Sequence, residues 1–320
     1  DPKRVGLSAQ ALLASARATH GRLGGPGQWL LALPLNYIAG LQVLTRSIDS
    51  GIEHISQPGG PFTPEAFCRG IAAMDHERRY SSVVPYQLAR LCEFAEGSGS
   101  ARDILGSLDA LLVGGQATPA EVLDRARRLG ISVVTTYGST ETAGGCVYDG
   151  IPLPGVRIEL GPDDRIDVVG AQVAAGYRGL PDETAQSFDG TGAERRFRTA
   201  DHGTWEDGRL RIMGRVDDVV TVHGVNVAIG AVEAVVRSEL GVRDAAVVAV
   251  PDDRQGNRLV AFVVMQDDAG LTAIAPLVVE RLGGAARPEV VPVDTLPMLP
   301  SGKIDRLAHA RGSLYRFHPR

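Results

Sequence analysis

Lysine is nearly absent from this chain. Of its 33 lysine and arginine residues, only Lys3 and Lys303 are lysine. An arginine is a planar fork of donors, whereas a lysine is a compact point charge on a flexible stem. Lys303 stands in Leu299-Pro300-Ser301-Gly302-Lys303-Ile304-Asp305-Arg306, where Gly302 permits a tight turn and close backbone approach. A compact ammonium there suits a phosphate or carboxylate site; a plain surface turn, in a composition biased to Arg, Ala and Gly, is the alternative. Aromatic residues make up only 5%, so the core must come from Val, Leu, Ile and Ala. Cysteines number three: Cys68, Cys92 and Cys146. None lies in a C-x-x-C pair or beside spaced histidines, which argues against zinc and a disulfide framework. Their odd count fits a reducing, cytoplasmic setting. Excess positive charge is also missing: the net charge of −5 argues against a nucleic-acid surface. No apolar run reaches the length of a membrane-spanning helix, so membrane insertion is not expected. The first residues, Asp1-Pro2-Lys3, show neither an initiator Met nor a signal-peptide pattern, and an incomplete or processed start is expected.

What is present reads as an α/β protein. Its 320 residues suggest about two domains. Residues 8–23 predict a helix capped by Ser8, and Trp29–Leu33 a buried strand ended by Pro34. Helices are expected over 38–48, 63–74, 85–94 and 118–129, with strands over 81–84, 108–113 and 131–135. This alternation implies a parallel sheet with crossover helices. After about residue 150 the segments shorten between Gly, Pro and Asp turns, which suggests a small antiparallel or barrel-like region. From about residue 215 a compact α+β unit follows: helix 229–240, strands 244–250 and 259–265, helix 271–282 and strand 289–293. The expected domains are 1–214 and 215–320.

Three sequence features carry chemistry. Thr136-Tyr137-Gly138-Ser139-Thr140-Glu141-Thr142 follows a strand and is read as a loop at its C-terminal end, where open α/β sheets bind ligands. Its hydroxyls can donate to phosphate, and Glu141 offers a hard oxygen to Mg²⁺. A Ser/Thr-capped helix start explains the same residues structurally. Phe197-Arg198-Thr199-Ala200-Asp201 comes next, and Gly214-Arg215-Val216-Asp217-Asp218 after it. A carboxylate such as Asp201 can accept both hydroxyls of a ribose, with Arg215 orienting it. Lys303 in its turn is the third.

Taken in order, these segments resemble the adenylate-forming superfamily of acyl-CoA synthetases, peptide-synthetase adenylation domains and luciferases. The resemblance covers essentially the whole chain. Even Asp1-Pro2-Lys3-Arg4-Val5 is similar to the end of the family's phosphate loop, with Arg4 where the family usually has Gly. It implies a two-step reaction in which a carboxylic acid and ATP give acyl-AMP, and a thiol then displaces AMP. It also implies a large domain joined to a small mobile C-terminal one. By the same resemblance, Lys303 is the adenylation lysine and Lys3 a phosphate contact. Thr140 meets the α-phosphate, Gly138 and Ser139 belong to the same nucleotide site, and Glu141 holds Mg²⁺. Tyr137 stacks on adenine beside Gly114 and Gly115, and Asp201 with Arg215 holds the ribose. Asp217 is the hinge, and Gly224 in Val222-His223-Gly224-Val225-Asn226 passes the thiol's arm.

The short chain, with Arg22–Leu31, Ile38–Leu41 and Gly144–Gly150, resembles the compact actinobacterial o-succinylbenzoate–CoA ligases of menaquinone biosynthesis. Tyr37 in Pro34-Leu35-Asn36-Tyr37-Ile38-Ala39-Gly40 departs from the usual His at the acyl and thiol tunnel, to which Gly40 and Gly145 also belong. A tyrosine can still donate a hydrogen bond there. Two alternatives stay open: activation of another aryl or short acid for coenzyme A or a carrier protein, and a non-catalytic adenylate-binding homologue. His202 reads as a turn residue, and His223 is equally a loop or a site residue. The sequence leaves the oligomeric state open.

Overall fold

The computed structural model describes residues 3–57, 60–215, 218–252, 256–266, 268–299 and 304–305. The chain divides into two compact units: Asp1–Thr199 with Gly203–Arg211, and Ala200–His202 with Ile212–Arg320.

The first unit is organised on a seven-stranded sheet. Its spatial order is Ile55–Ser56, Gln28–Leu31, Arg79–Val83, Ala110–Val113, Val133–Ser139, Gly144–Tyr148, Ile151–Pro152. The first five strands run parallel, and the last two return antiparallel. Strand residues alternate between two apolar layers, as period-2 geometry requires. Leu30, Leu111 and Val113 face one layer, filled by helices Pro64–Ala72, Pro85–Glu96, Gly99–Gly106 and Ala120–Arg128. Trp29, Ala110, Leu112 and Tyr148 belong to the other layer, with Val43 from helix Ile38–Ser50 and Ala18 from helix Ala9–Arg22. Burial on both faces explains why these strands read as continuous apolar runs. Ser8 and Thr63 cap their helices by accepting the Ala11 and Ala66 N–H groups, as their positions predict.

Beside this sheet lies a five-stranded one. Phe188–Asp189, Arg196–Glu206, Arg165–Val169 and Arg157–Leu160 are neighbours in that order, and Arg209–Arg215 also pairs with Arg196–Glu206. It packs over Ile166, Val168, Phe188, Phe197 and Tyr177.

The second unit contains a hairpin, Val219–Val222 with Val225–Ala228, and a three-stranded sheet. Strands Val242–Asp252 and Gly256–Met265 are antiparallel, and Pro288–Pro292 joins the latter in parallel. Helices Ile229–Arg237 and Ile274–Leu282 cover the face carrying Ala245, Val247, Leu259, Ala261 and Val263. Leu296 and Ile304 cover the other, over Val248, Val260 and Phe262. The helix expected over 271–282 starts later, because residues 268–273 form a 3₁₀ turn first.

Candidate functional site

The sheet's last parallel strand departs from the sequence reading. Thr136–Ser139, expected in a loop, continues the strand to Ser139. It pairs antiparallel with Gly144–Tyr148, through a bulge between Tyr137 and Gly138. Glycine makes this hairpin possible. A Cβ on Gly138 would stand 2.2 Å from the Gly144 carbonyl oxygen, and one on Gly145 2.9 Å from the Tyr148 ring. Gly114 has the same restriction: its Cβ would stand 2.2 Å from Thr136 Oγ1. Gly115 follows at φ 85°, in the left-handed region that favours glycine. Gly114, Thr136, Gly138 and Gly145 are thus packed together by backbone approach.

Only Thr140–Thr142 turns, in a single 3₁₀ turn that ends at Ala143 with φ 51°. Thr142 Oγ1 accepts the Ser139 N–H at 2.9 Å and donates to the Gly144 carbonyl at 2.8 Å. The Ala143 carbonyl receives Ser15 Oγ at 2.9 Å and Gln42 Nε2 at 2.8 Å. Two helices therefore clamp a left-handed, non-glycine residue that would otherwise be strained. The clamp leaves Thr140 exposed. Ser139 Oγ is buried and has no hydrogen-bond partner, which leaves a hydroxyl free for a ligand oxygen.

Glu141 is held from two sides. Tyr177 OH donates to its Oε1 at 3.1 Å, and the Ala174 N–H donates to its carbonyl at 2.8 Å. Lys3 Nζ sits 4.5 Å from the centre of the same Tyr177 ring. The chain's start is brought here because Val5–Gly6 pairs antiparallel with Gly176–Tyr177. Lys3 and Glu141, 138 positions apart in the sequence, thus share one aromatic neighbour. An ammonium, free hydroxyls and a carboxylate around one turn can hold a polyphosphate with a hard cation. Among the described residues no group of three or more His, Cys, Asp or Glu side chains could hold a metal alone. Magnesium fits such a site, since it binds through one or two carboxylates together with substrate phosphates and water.

In the second unit Arg215 Nη1 donates to Asp201 Oδ1 at 3.3 Å. The Asp201 side chain is 17% exposed and that of Arg215 47%, so the carboxylate is half-sheltered and the guanidinium is at the surface. His223 and Gly224 form the two-residue loop of the hairpin, at φ 51° and 79°. Positive φ at both loop residues matches the strand twist and gives Gly224 a conformational reason to be glycine. Lys303 and Asp217 lie outside the described residues. Met298 and Ile304, on either side of Lys303 in the sequence, pair as an antiparallel bridge.

Tyr37 precedes helix Ile38–Ser50 and is half-buried. Gly40, in that helix's first turn, would place a Cβ 2.3 Å from the Pro34 carbonyl oxygen, so it is glycine for packing.

One group escaped the motif reading. Arg46, on the same helix, is 3% exposed. Its guanidinium lies 4.3 Å from the centre of the Trp29 ring, and Nη2 reaches Thr19 Oγ1 at 3.5 Å. Nε and Nη1 are buried without a partner, and no described carboxylate pairs with the charge. Burial pushes this guanidinium down from its usual range, with the nearby Tyr148 opposing. Gln42 Oε1 and Ser47 Oγ, on the same helix, are also buried and unpartnered. Gln42, Arg46 and Ser47 interrupt the apolar pattern of Ile38–Ser50, and that interruption was the available signal.

Comparison with known proteins follows the same lines. The family model for the AMP-binding enzyme matches residues 1–177, and that for its C-terminal domain matches 231–303. A "Probable 2-succinylbenzoate--CoA ligase" of Mycobacterium tuberculosis is 41% identical over 320 aligned positions, covering 97% of this chain and 81% of the relative. The solved o-succinylbenzoate CoA synthetase of Bacillus subtilis, in complex with its acyl-adenylate intermediate, is 25% identical at a TM-score of 0.79. That match covers 99% of this chain and 67% of the solved one. An amide bond synthetase from Marinactinospora thermotolerans is 27% identical at a TM-score of 0.80, over 97% of this chain and 66% of its own. By sequence along most of its length and by fold, this chain belongs to the AMP-binding enzyme family.

Proposed function

We propose that this protein is an ATP- and Mg²⁺-dependent acid–thiol ligase that converts 2-succinylbenzoate to its coenzyme A thioester. The observation that carries the substrate is Arg46. A buried cation with two unused donors and no carboxylate is costly unless something occupies it. A dicarboxylic acid supplies what is missing: one carboxylate reacts while the other meets the guanidinium, whose fork suits two oxygens. The M. tuberculosis relative's name specifies such a dicarboxylate.

In the first half-reaction a carboxylate oxygen attacks the α-phosphorus of ATP. The bond to pyrophosphate breaks, and acyl-AMP forms. In this proposal Ser139 and Thr140 hold phosphate oxygens, Lys3 faces the polyphosphate and Glu141 holds the cation. Tyr137, Gly114 and Gly115 receive the adenine, and Asp201 with Arg215 takes the ribose hydroxyls. Lys303 offsets charge as the two anions meet, an electrostatic contribution of roughly 3–4 kcal/mol. In the second half-reaction the coenzyme A sulfur attacks the acyl carbon, AMP departs with the bonding pair, and the thiol proton goes to solvent. Gly224, Gly145 and Gly40 are the proposed path of the thiol, Tyr37 its gate and Asp217 the hinge between the two half-reactions.

The test is ATP–pyrophosphate exchange with a panel of mono- and dicarboxylic acids, followed by thioester formation with coenzyme A or a carrier protein. Exchange driven by 2-succinylbenzoate and transfer to coenzyme A is the expected result. Exchange that prefers a monocarboxylate would overturn the substrate, and transfer only to a carrier protein would overturn the acceptor.

A further inference from the structure

Two elements of the first unit converge on Arg46. Trp29, on strand Gln28–Leu31, is fully buried and presents its ring to the guanidinium. Its Nε1–H donates to His20 Nε2 at 3.3 Å. His20, on helix Ala9–Arg22, is 5% exposed. Thr19 precedes it on that helix, with Oγ1 3.1 Å from Tyr148 OH and 3.5 Å from Arg46 Nη2. Consecutive residues of one helix thus reach Arg46 by two routes: Thr19 directly, and His20 through the indole.

A ring that stacks on a guanidinium fixes its plane but not its rotation within that plane, and a 3.5 Å contact is too long to fix it firmly. The direction of the free Nε and Nη1 donors therefore depends on how the indole itself is held. We propose that His20 is a positioning residue for the acid-binding site: by accepting the Trp29 indole N–H it fixes the ring on which Arg46 lies, and so aims the unused donors at the acid's second carboxylate. This rests on the role given to Arg46 above. The imidazole suits the task only while neutral, with its proton on Nδ1, because Nε2 must accept. Burial, and then the Arg46 charge, hold it neutral by pushing its pKa down to about 4, against the pull of Asp49. Leucine or phenylalanine would fill the same volume without a bond to the indole, so packing alone does not call for His20.

The experiment compares two acids in the exchange assay: 2-succinylbenzoate, and 4-oxo-4-phenylbutanoate, which lacks the ring carboxylate. Three variants are used. His20→Leu removes the acceptor. Trp29→Phe keeps a ring under Arg46 but removes the N–H. His20→Gln restores an acceptor. For His20→Leu and Trp29→Phe, KM for the dicarboxylate rises about tenfold with kcat within about twofold, KM for the monocarboxylate stays unchanged, and His20→Gln recovers most of the difference. Equal KM increases for both acids, or a loss confined to kcat, would mean a core role and overturn the proposal. Variants that keep the wild-type preference would overturn it as well. A wild-type enzyme that treats the two acids alike overturns the Arg46 reading itself, which separates the two failures.

Discussion

Replacing Arg46 by methionine should change the stability of the free protein by no more than about 2 kcal/mol in either direction while disabling it. Methionine matches the length of the arginine stem and adapts to irregular space. Removing a buried, unpaired charge in favour of a packed apolar group is neutral or stabilises by about 1–4 kcal/mol. Against this stands the stack on Trp29 at 4.3 Å, worth about 2 kcal/mol when desolvated. The 3.5 Å contact to Thr19 is at the limit of a hydrogen bond and adds little. The balance runs from about 2 kcal/mol against Arg46→Met to about 2 kcal/mol in its favour. Binding moves the other way. The second carboxylate would enter a buried site without a cation, which costs about 2–5 kcal/mol, or roughly 30- to 5,000-fold in affinity. Urea unfolding at a common m-value measures the first effect, and KM for 2-succinylbenzoate in the exchange assay measures the second. Stability within about 2 kcal/mol of wild type with a collapsed affinity is expected. A loss of about 3 kcal/mol in stability with KM unchanged would show that the guanidinium is a structural group, and the reasoning would fail.

Three further outcomes are expected. Gly138→Ala must push the Gly144 carbonyl from 2.2 Å, costing about 1–3 kcal/mol and, with a shift of about 1 Å at Ser139 and Thr140, on the order of 100-fold in kcat; wild-type unfolding and exchange in this variant would refute the tight-hairpin account. His20 protonates near 6.5 when unfolded but only at about 4 when folded. The unfolded chain therefore binds more protons between those pH values, and stability should fall as pH drops through that window, by roughly 1–2 kcal/mol after allowance for screening; urea titrations should show His20→Leu losing less. Lys303→Ala should slow adenylation by about 100-fold or more yet leave thioester formation from supplied acyl-AMP within a few-fold, and equal loss in both half-reactions would contradict its assigned role.

The alternation of strands and helices was legible because parallel strands buried on both faces leave continuous apolar runs, as in Ala110–Val113, and because Ser8 and Thr63 mark helix starts locally. The strand through Thr136–Ser139 was not. Its Thr, Tyr and Gly residues resemble a phosphate loop, and the partner that makes them a strand, Gly144–Tyr148, is recognised only when the glycine contacts are known. Helix Gly99–Gly106 was also missed, since glycine at both ends reads as a linker. At the site, ordered motifs pointed to Glu141 and Asp201. They gave no hint that Tyr177 would join Lys3 to Glu141, because that link depends on pairing between strands 170 residues apart. Arg46 went unnoticed for a related reason: an arginine in a helix is usually a solvated one, and only burial reveals the missing partner.

Helix Ile38–Ser50 then acquires a double task. Gln42 ties it to the Ala143 carbonyl and so to the Thr140–Thr142 turn. Arg46 stands one turn further along the same face, about 6 Å away at the Cβ atoms. The turn proposed to meet phosphate and the cation proposed to meet the acid's far end are therefore referred to one rigid element rather than to separate loops. A helix keeps such a spacing without adjustment, so an acid whose two carboxylates are too close or too far apart cannot satisfy both ends at once. Arg46 also explains why this part of the core tolerates so many buried polar atoms. Thr19, His20 and Tyr148 would each be replaceable by apolar residues if packing were the only demand. Directly or through the Trp29 ring they hold in place a charged group whose proposed use comes only when substrate arrives.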